Sequence, residues 1–158
     1  MKWERLSREA CPVARTVAVI GDRWTMLLLR ECFLGVRRFD AFQARLGISR
    51  TIITDRLNAL VTEGVLSREP YQDRPLRHEY RLTRKGLELY PVLMSMVQWG
   101  NAHGGLPAGA QLKFRHKGCG KHFRFKMTCE ACGETVDARG VEALPAEARR
   151  AARTRDSG

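Results

Sequence analysis

Leu46-Gly47-Ile48-Ser49-Arg50-Thr51-Ile52-Ile53-Thr54-Asp55-Arg56-Leu57-Asn58-Ala59-Leu60-Val61-Thr62-Glu63-Gly64-Val65-Leu66 runs into an arginine-rich stretch and then into Tyr80-Arg81-Leu82-Thr83-Arg84-Lys85-Gly86. Gly47 suits the left-handed backbone that ends one helix. Ser49 suits the N-cap of the next, where its hydroxyl can accept an orphan N–H. In that second helix Ile53, Leu57, Leu60 and Val61 recur at helical spacing and predict a buried stripe. Arg50, Thr51, Thr54, Asp55 and Asn58 lie off the stripe. Gly64 closes the helix, and Val65-Leu66-Ser67-Arg68 begins a strand. Tyr71-Gln72-Asp73-Arg74-Pro75 has the Pro and Asp of a tight loop, and Arg77 to Leu82 alternates as a returning strand does. Two short helices followed by a basic hairpin predict a winged helix-turn-helix, and with it double-stranded DNA as the partner.

Further helices flank this unit. Pro12 suits a first helical position, and Val13, Val17 and Ile20 follow at helical spacing up to Gly21. Asp22 can cap a second helix, with Trp24, Leu27, Leu28 and Leu34 inward, that ends at Gly35. Residues 39–46 form the positioning helix, with Phe39, Phe42 and Leu46 as its apolar side. After the hairpin, Thr83 caps a long helix to about Asn101, kinked by Pro91, which removes a backbone hydrogen bond. That helix is apolar nearly all round, so something must cover more than one side. A second copy of the chain is the expected cover, and Leu87, Tyr90, Met94 and Val97 its expected contacts. The fold class expected is mainly α with a small β wing over residues 1–102. A Gly-rich linker over 103–111, a small β unit over 112–140 and a basic tail over 141–158 complete the chain.

Composition agrees with a nucleic-acid binder. The 158 residues carry a net charge of +11 and a pI of about 10.1, an electrostatic footprint of polyanion binding. No stretch approaches the ~18 apolar residues of a membrane span, and the N-terminus does not lead into a secretory signal. A cytoplasmic, nucleoid-associated protein with reduced thiols is expected. The sequence contains no Gly-rich phosphate loop, nucleophile elbow or His-Glu-x-x-His pattern, so an enzyme is not expected.

The residues from about 11 to 101 resemble the HxlR-type branch of the MarR-like winged-helix regulators. The resemblance rests on Cys11-Pro12-Val13, Ile20-Gly21-Asp22-Arg23-Trp24, Arg38-Phe39-Asp40, Gly47-Ile48-Ser49 and Thr54-Asp55-Arg56-Leu57. It continues in the Tyr71 to Pro75 turn, Tyr80-Arg81-Leu82-Thr83 with Gly86, and Trp99-Gly100. Asp22-Arg23 stands where many members carry Gly-Lys, and Asp is the better N-cap. The resemblance implies a bacterial transcriptional regulator, expected as a repressor, that binds a pseudo-palindromic operator as a homodimer. Its first and last helices would join the two copies, bringing Val13 and Val17 into the interface. The effector stays open.

On DNA, the helix from Ser49 would enter a major groove with its N-terminal residues at the base edges. Arg50 and Asn58 are equipped to read guanine and adenine. Ser49, Thr51 and Thr54 suit phosphates or a thymine methyl, and the wing arginines Arg68, Arg74 and Arg77 suit phosphates or the minor groove. Arg56 lies off the reading face, divided between DNA and a partner within the fold.

The second unit holds two matched turns, His116-Lys117-Gly118-Cys119-Gly120 and Cys129-Glu130-Ala131-Cys132-Gly133. Each places two soft ligands three residues apart, a spacing that lets both face one tetrahedral zinc. His116, Cys119, Cys129 and Cys132 are the expected ligands of a structural zinc, with His122 as substitute for His116. So small a unit folds alone only with such a staple. A disulfide between Cys129 and Cys132, or a metal-free ribbon, stays open, as does a role as a protein-docking module. Many HxlR-like chains carry a similar extension that resembles a zinc ribbon. Cys32 reads as core. Cys11 sits at the mouth of the first helix, where a thiolate gains from the helix dipole. Relatives in the resembled family that sense oxidants or electrophiles use a cysteine at this place, while others share Cys-Pro without sensing.

Overall fold

The structure, a computed structural model, describes residues 8–143. The expected basic tail lies outside the described residues from position 144 onward. The chain divides into two compact units between Leu106 and Pro107. In the first unit the elements follow as α1 (Pro12–Ile20), α2 (Arg23–Phe33), α3 (Phe39–Leu46), α4 (Arg50–Thr62), β1 (Leu66–Asp73), β2 (Leu76–Leu82), α5 (Arg84–Leu87) and α6 (Tyr90–His103). The expected α+β winged helix-turn-helix is the fold observed.

The helix ends are built by local chemistry. Asp22 Oδ1 accepts from the N–H groups of Trp24 and Thr25 at 3.0 and 3.1 Å, and Ser49 Oγ accepts from Ile52 N–H at 3.3 Å. Thr83 Oγ1 accepts from Gly86 N–H at 3.1 Å. Gly47, at φ +63°, turns the chain between α3 and α4, a backbone that other residues adopt only with strain. Gly86 answers a different need: a Cβ there would lie 2.2 Å from the Val65 carbonyl oxygen. Here the residue just before β1 and α5 pack backbone to backbone.

Leu28, Leu29, Phe42, Ile53, Leu57, Leu60, Val65 and Leu66 are fully buried and join α2, α3, α4 and β1 into one core. Each such side chain stabilises the fold by roughly 1.5–3 kcal/mol. Tyr80 of β2 closes one end of this core edge-on to Phe42, ring centroids 6.5 Å apart. Glu31 is buried as well, a charge inside the domain, and Arg30 and Arg45 both bind its carboxylate.

Three expectations need correction. The wing turn is tighter than Tyr71 to Pro75: β1 runs to Asp73, and Arg74 and Pro75 alone connect it to β2. Tyr71 is the extra residue of a bulge, between the pairs Pro70↔His78 and Gln72↔Arg77, where Pro70 has no N–H to give the ladder. The last helix is broken rather than kinked. Residues 88 and 89 form a turn, and Pro91 stands in the first turn of α6, where its missing N–H costs nothing. Finally, Leu34 is exposed rather than inward, because it is the C-cap of α2.

The second unit is sparse. It contains β3 (Phe114–Arg115) and β4 (His122–Phe123), paired antiparallel, and an isolated bridge between Thr128 and Thr135. No side chain from Pro107 to Ala143 is buried.

Candidate nucleic-acid interface

Ser49, Arg50, Thr51, Thr54 and Asn58 are all exposed along one side of α4, while Ile53, Leu57 and Leu60 take the other side into the core. One side chain of the expected set is diverted. Arg56 is half-buried, its Nε lies 3.2 Å from Asp22 Oδ1, and it ties α4 to the cap of α2. It belongs to the fold. Ser49 keeps its O–H free to donate even though its lone pair caps the helix.

Arg50 is the least freely moving of the readers. Its Nη1 donates to Gln43 Oε1 at 3.0 Å and to Asp40 Oδ1 at 3.3 Å, and its guanidinium lies over the Phe39 ring, 4.5 Å from the centroid. It is folded back against α3.

Between α3, the start of α4 and the wing lies a concavity of about 580 Å³, lined by Arg38, Arg50, Arg68, Arg77 and His78 with Tyr71 and Tyr80 at its wall. Asp40 is its one carboxylate. Sequence reasoning missed Arg38, Tyr71 and His78. Arg38 caps α3 with its backbone, bridges to Glu79 of β2 and stacks over the Tyr71 ring at 4.4 Å. His78 Nδ1 sits 3.1 Å from Arg68 Nη2. The Arg37-Arg38 pair just before α3 was the available signal. The bulge at Tyr71 could not be read, because it depends on register. Arg74 stands exposed at the hairpin tip. Arg81, which crowds the same hairpin, is neutralised by Glu79 and Glu69 at 2.6 and 3.1 Å. The concavity therefore offers several cations and the positive end of α4 to an anion.

The expected interface residues divide. Val13, Val17 and Leu87 are exposed, as are Val92, Met96 and Trp99. Tyr90 and Val97 are half-buried, and Tyr90 packs on Phe33 at 5.1 Å between ring centroids. Met94 is only 3% exposed within its own chain, so it is a packing residue and not an available contact. Leu87 and α6 do not share one helix, since the break at 88–89 separates them.

Cys32 is buried, and desolvation, aided by the charge of Glu31, pushes its thiol pKa up to about 12, which makes it inert. Cys11, half-buried, is the N-cap residue of α1.

The two turns of the second unit match bond for bond. His116 N–H donates to Lys121 O at 2.9 Å and Gly120 N–H to His116 O at 2.8 Å. Cys129 N–H donates to Glu134 O and Gly133 N–H to Cys129 O, both at 2.8 Å. Both glycines are left-handed, at φ +71° and +75°. His116 Nδ1 lies 3.3 Å from Cys119 Sγ. Backbone N–H groups of Cys132 and Ala131, with the Cys132 side chain, hold the Cys129 thiol pKa below its usual value. Each turn thus fits half of a metal site. The four side chains do not form the single cluster expected: among the described residues no three His, Cys, Asp or Glu side chains gather as for one ion. His122 stands opposite Arg115 in the strand ladder.

Comparison with known proteins agrees with this geometry. The profile of the HxlR-like helix-turn-helix family matches residues 19–106. A Mycobacterium tuberculosis protein, the uncharacterized HTH-type transcriptional regulator Rv3095, is 43% identical over 133 residues, 84% of each chain. The crystal structure of PA1607, a transcription-factor candidate, superposes with a TM-score of 0.79 at 33% identity, covering 89% of this chain and 98% of that one. The redox regulator HypR in its reduced form is similar at 32% identity and a TM-score of 0.57, over 60% of this chain and 95% of its own. No helix among the described residues is long and apolar enough to cross a membrane.

Proposed function

The chain belongs to the HxlR-like helix-turn-helix family of DNA-binding transcriptional regulators, and from that premise we propose that it is a repressor that binds a pseudo-palindromic operator as a two-fold homodimer. The observation that carries the reading is the arginine-lined concavity beside an exposed Ser49–Asn58 face. In this reading α4 enters the major groove, Arg50 and Asn58 meet base edges, and Arg38, Arg68, Arg74 and Arg77 take phosphates. The test is recovery of genomic fragments with the purified protein: one palindromic sequence should be enriched. Binding no better than to random DNA sinks the reading.

Dimerisation is supported by the apolar side chains left uncovered on α1 and α6, Val13, Val17, Met96 and Trp99. Burying them against a second copy would set two recognition helices about 34 Å apart, one turn of B-DNA. Trp99→Glu should yield a monomer in sedimentation and lose operator binding with it, while Met94→Glu should instead disturb folding. A dimer that survives Trp99→Glu removes α6 from the interface.

A redox-sensing role is favoured by one further observation: the likeness to HypR, together with Cys11 half-buried at the α1 N-terminus. Brief alkylation should modify Cys11 and spare Cys32, and should lower operator affinity. Modification without any effect on DNA binding excludes the sensor.

Zinc in the second unit is supported by the matched turns and by residues 107–143 burying no side chain, a segment that a cross-link would stabilise. His116, Cys119, Cys129 and Cys132 would hold the ion, which would supply structure and no chemistry. Elemental analysis should find about one zinc per chain, lost in Cys129→Ser with the helical signal unchanged. Metal-free protein with a Cys129–Cys132 disulfide would point to thiol chemistry instead.

A further inference from the structure

Cations crowd one stretch of the second unit. Lys113, Arg115, Lys117, Lys121, Arg124 and Lys126 fall in a stretch without a single Asp or Glu, and the acids Glu130, Glu134, Asp137 and Glu142 all follow it. All six cations are exposed, and none is ion-paired among the described residues. In the first unit carboxylates engage Arg30, Arg45, Arg50, Arg56 and Arg81, whereas Arg38, Arg68, Arg74 and Arg77 beside the wing have no ion pair among the described residues, like the six here. Within the β3–β4 hairpin Arg115 stands opposite His122, and Phe114 opposite Phe123. Directly opposed residues share a face, so Arg115 and His122 lie on one face and the two phenylalanines on the other, with Phe123 38% exposed. Residues 107–143 bury no side chain, so they gain nothing internally from crowding like charges, and the repulsion opposes folding. A polyanion relieves that repulsion.

We propose that the basic segment 113–126 around the β3–β4 hairpin is a second DNA-binding element, which grips the phosphate backbone of duplex DNA flanking the operator. The inference rests on the reading of the first unit as operator-binding. Charge complementarity selects the partner, and connectivity makes it available. Once the first unit holds DNA, the chain through Gly104–Gln111 keeps the hairpin close to many phosphates. A tethered group experiences an effective concentration of about 1 mM. Against a non-specific dissociation constant of about 10⁻⁴ M, that gives about tenfold tighter binding for each engaged hairpin.

The test compares the full chain on two duplexes, one ending at the operator and one extended by about ten base pairs, one helical turn, on each side. Flanks should tighten binding by about tenfold or more, and should steepen the dependence of log affinity on log salt by about 0.9 for each phosphate gripped. Lys113→Gln/Arg124→Gln/Lys126→Gln should erase both gains while binding the short duplex as before. Lys113→Arg/Arg124→Lys/Lys126→Arg, which keeps the charge, should retain them. The proposal is overturned if flanks give no gain, if the glutamine variant keeps the gain, or if the charge-preserving variant loses it. Stronger gain from single-stranded than from duplex flanks would also overturn it. Failure to bind even the short duplex would instead bring down the regulator reading beneath it.

Discussion

Removing both arginines around Glu31 should destabilise the first unit by about 3–5 kcal/mol, the typical cost of leaving a buried charge without its partner. The carboxylate side chain is 3% exposed, whereas those of Arg30 and Arg45 are 38% and 51% exposed. That asymmetry decides which change hurts. In Arg30→Ala/Arg45→Ala the buried anion loses every cation that compensates its desolvation. In Glu31→Gln two half-exposed cations remain, and water reaches both, so the loss should stay near 1–3 kcal/mol. Each single arginine variant should cost less than half of the double, because one partner still holds the carboxylate. Urea unfolding at neutral pH reads all four, with the midpoint shifting and the slope unchanged. A double variant that unfolds at the original midpoint would show that Glu31 needs neither partner. Arg45 lies on α3, so this cluster also fixes the helix against which Arg50 rests.

Operator affinity should fall by about 10³–10⁵ between 50 and 200 mM salt, as expected when roughly 6–10 phosphates are neutralised. Within that large electrostatic effect the two kinds of arginine should separate. Arg74→Ala, at the exposed hairpin tip, should weaken all sequences alike and lower the salt slope by about 1. Arg50→Ala should leave the slope nearly as it was and flatten discrimination at one base pair of each half-site, a change of about 1–3 kcal/mol. Competition assays over single-base operator variants distinguish them. Equal weakening on every variant would make Arg50 a phosphate ligand.

What the sequence revealed was whatever local chemistry dictates. Asp22, Ser49 and Thr83 cap helices because their side chains reach N–H groups two or three residues on, and that is visible in one dimension. Gly47 and the Ile53–Leu57–Leu60 stripe are legible for the same reason. Arg56 was ambiguous because its partner, Asp22, is remote in sequence. Met94 looked like an interface residue because helical spacing identifies an apolar face without naming what covers it. Arg38 and Tyr71 meet only after β1 takes on its bulge, so the wall of the concavity was invisible. In the second unit, spacing correctly located the two turns but not whether they meet.

The hold of α3 on Arg50 bears on how a target is found. In the proposed reading, while the chain scans arbitrary DNA through backbone contacts, Nη1 of this guanidinium is already held by Gln43 and Asp40 and the group lies over the Phe39 ring, which leaves Nε and Nη2 free to donate. The paired acceptors of guanine could take those free donors while the α3 contacts hold the group in place. A base pair without such acceptors would leave those donors to water, so passing over it would cost little. Asp40 and Gln43 would thus act by aiming the arginine beforehand, so that arrest at a correct site need not wait for a long side chain to be ordered.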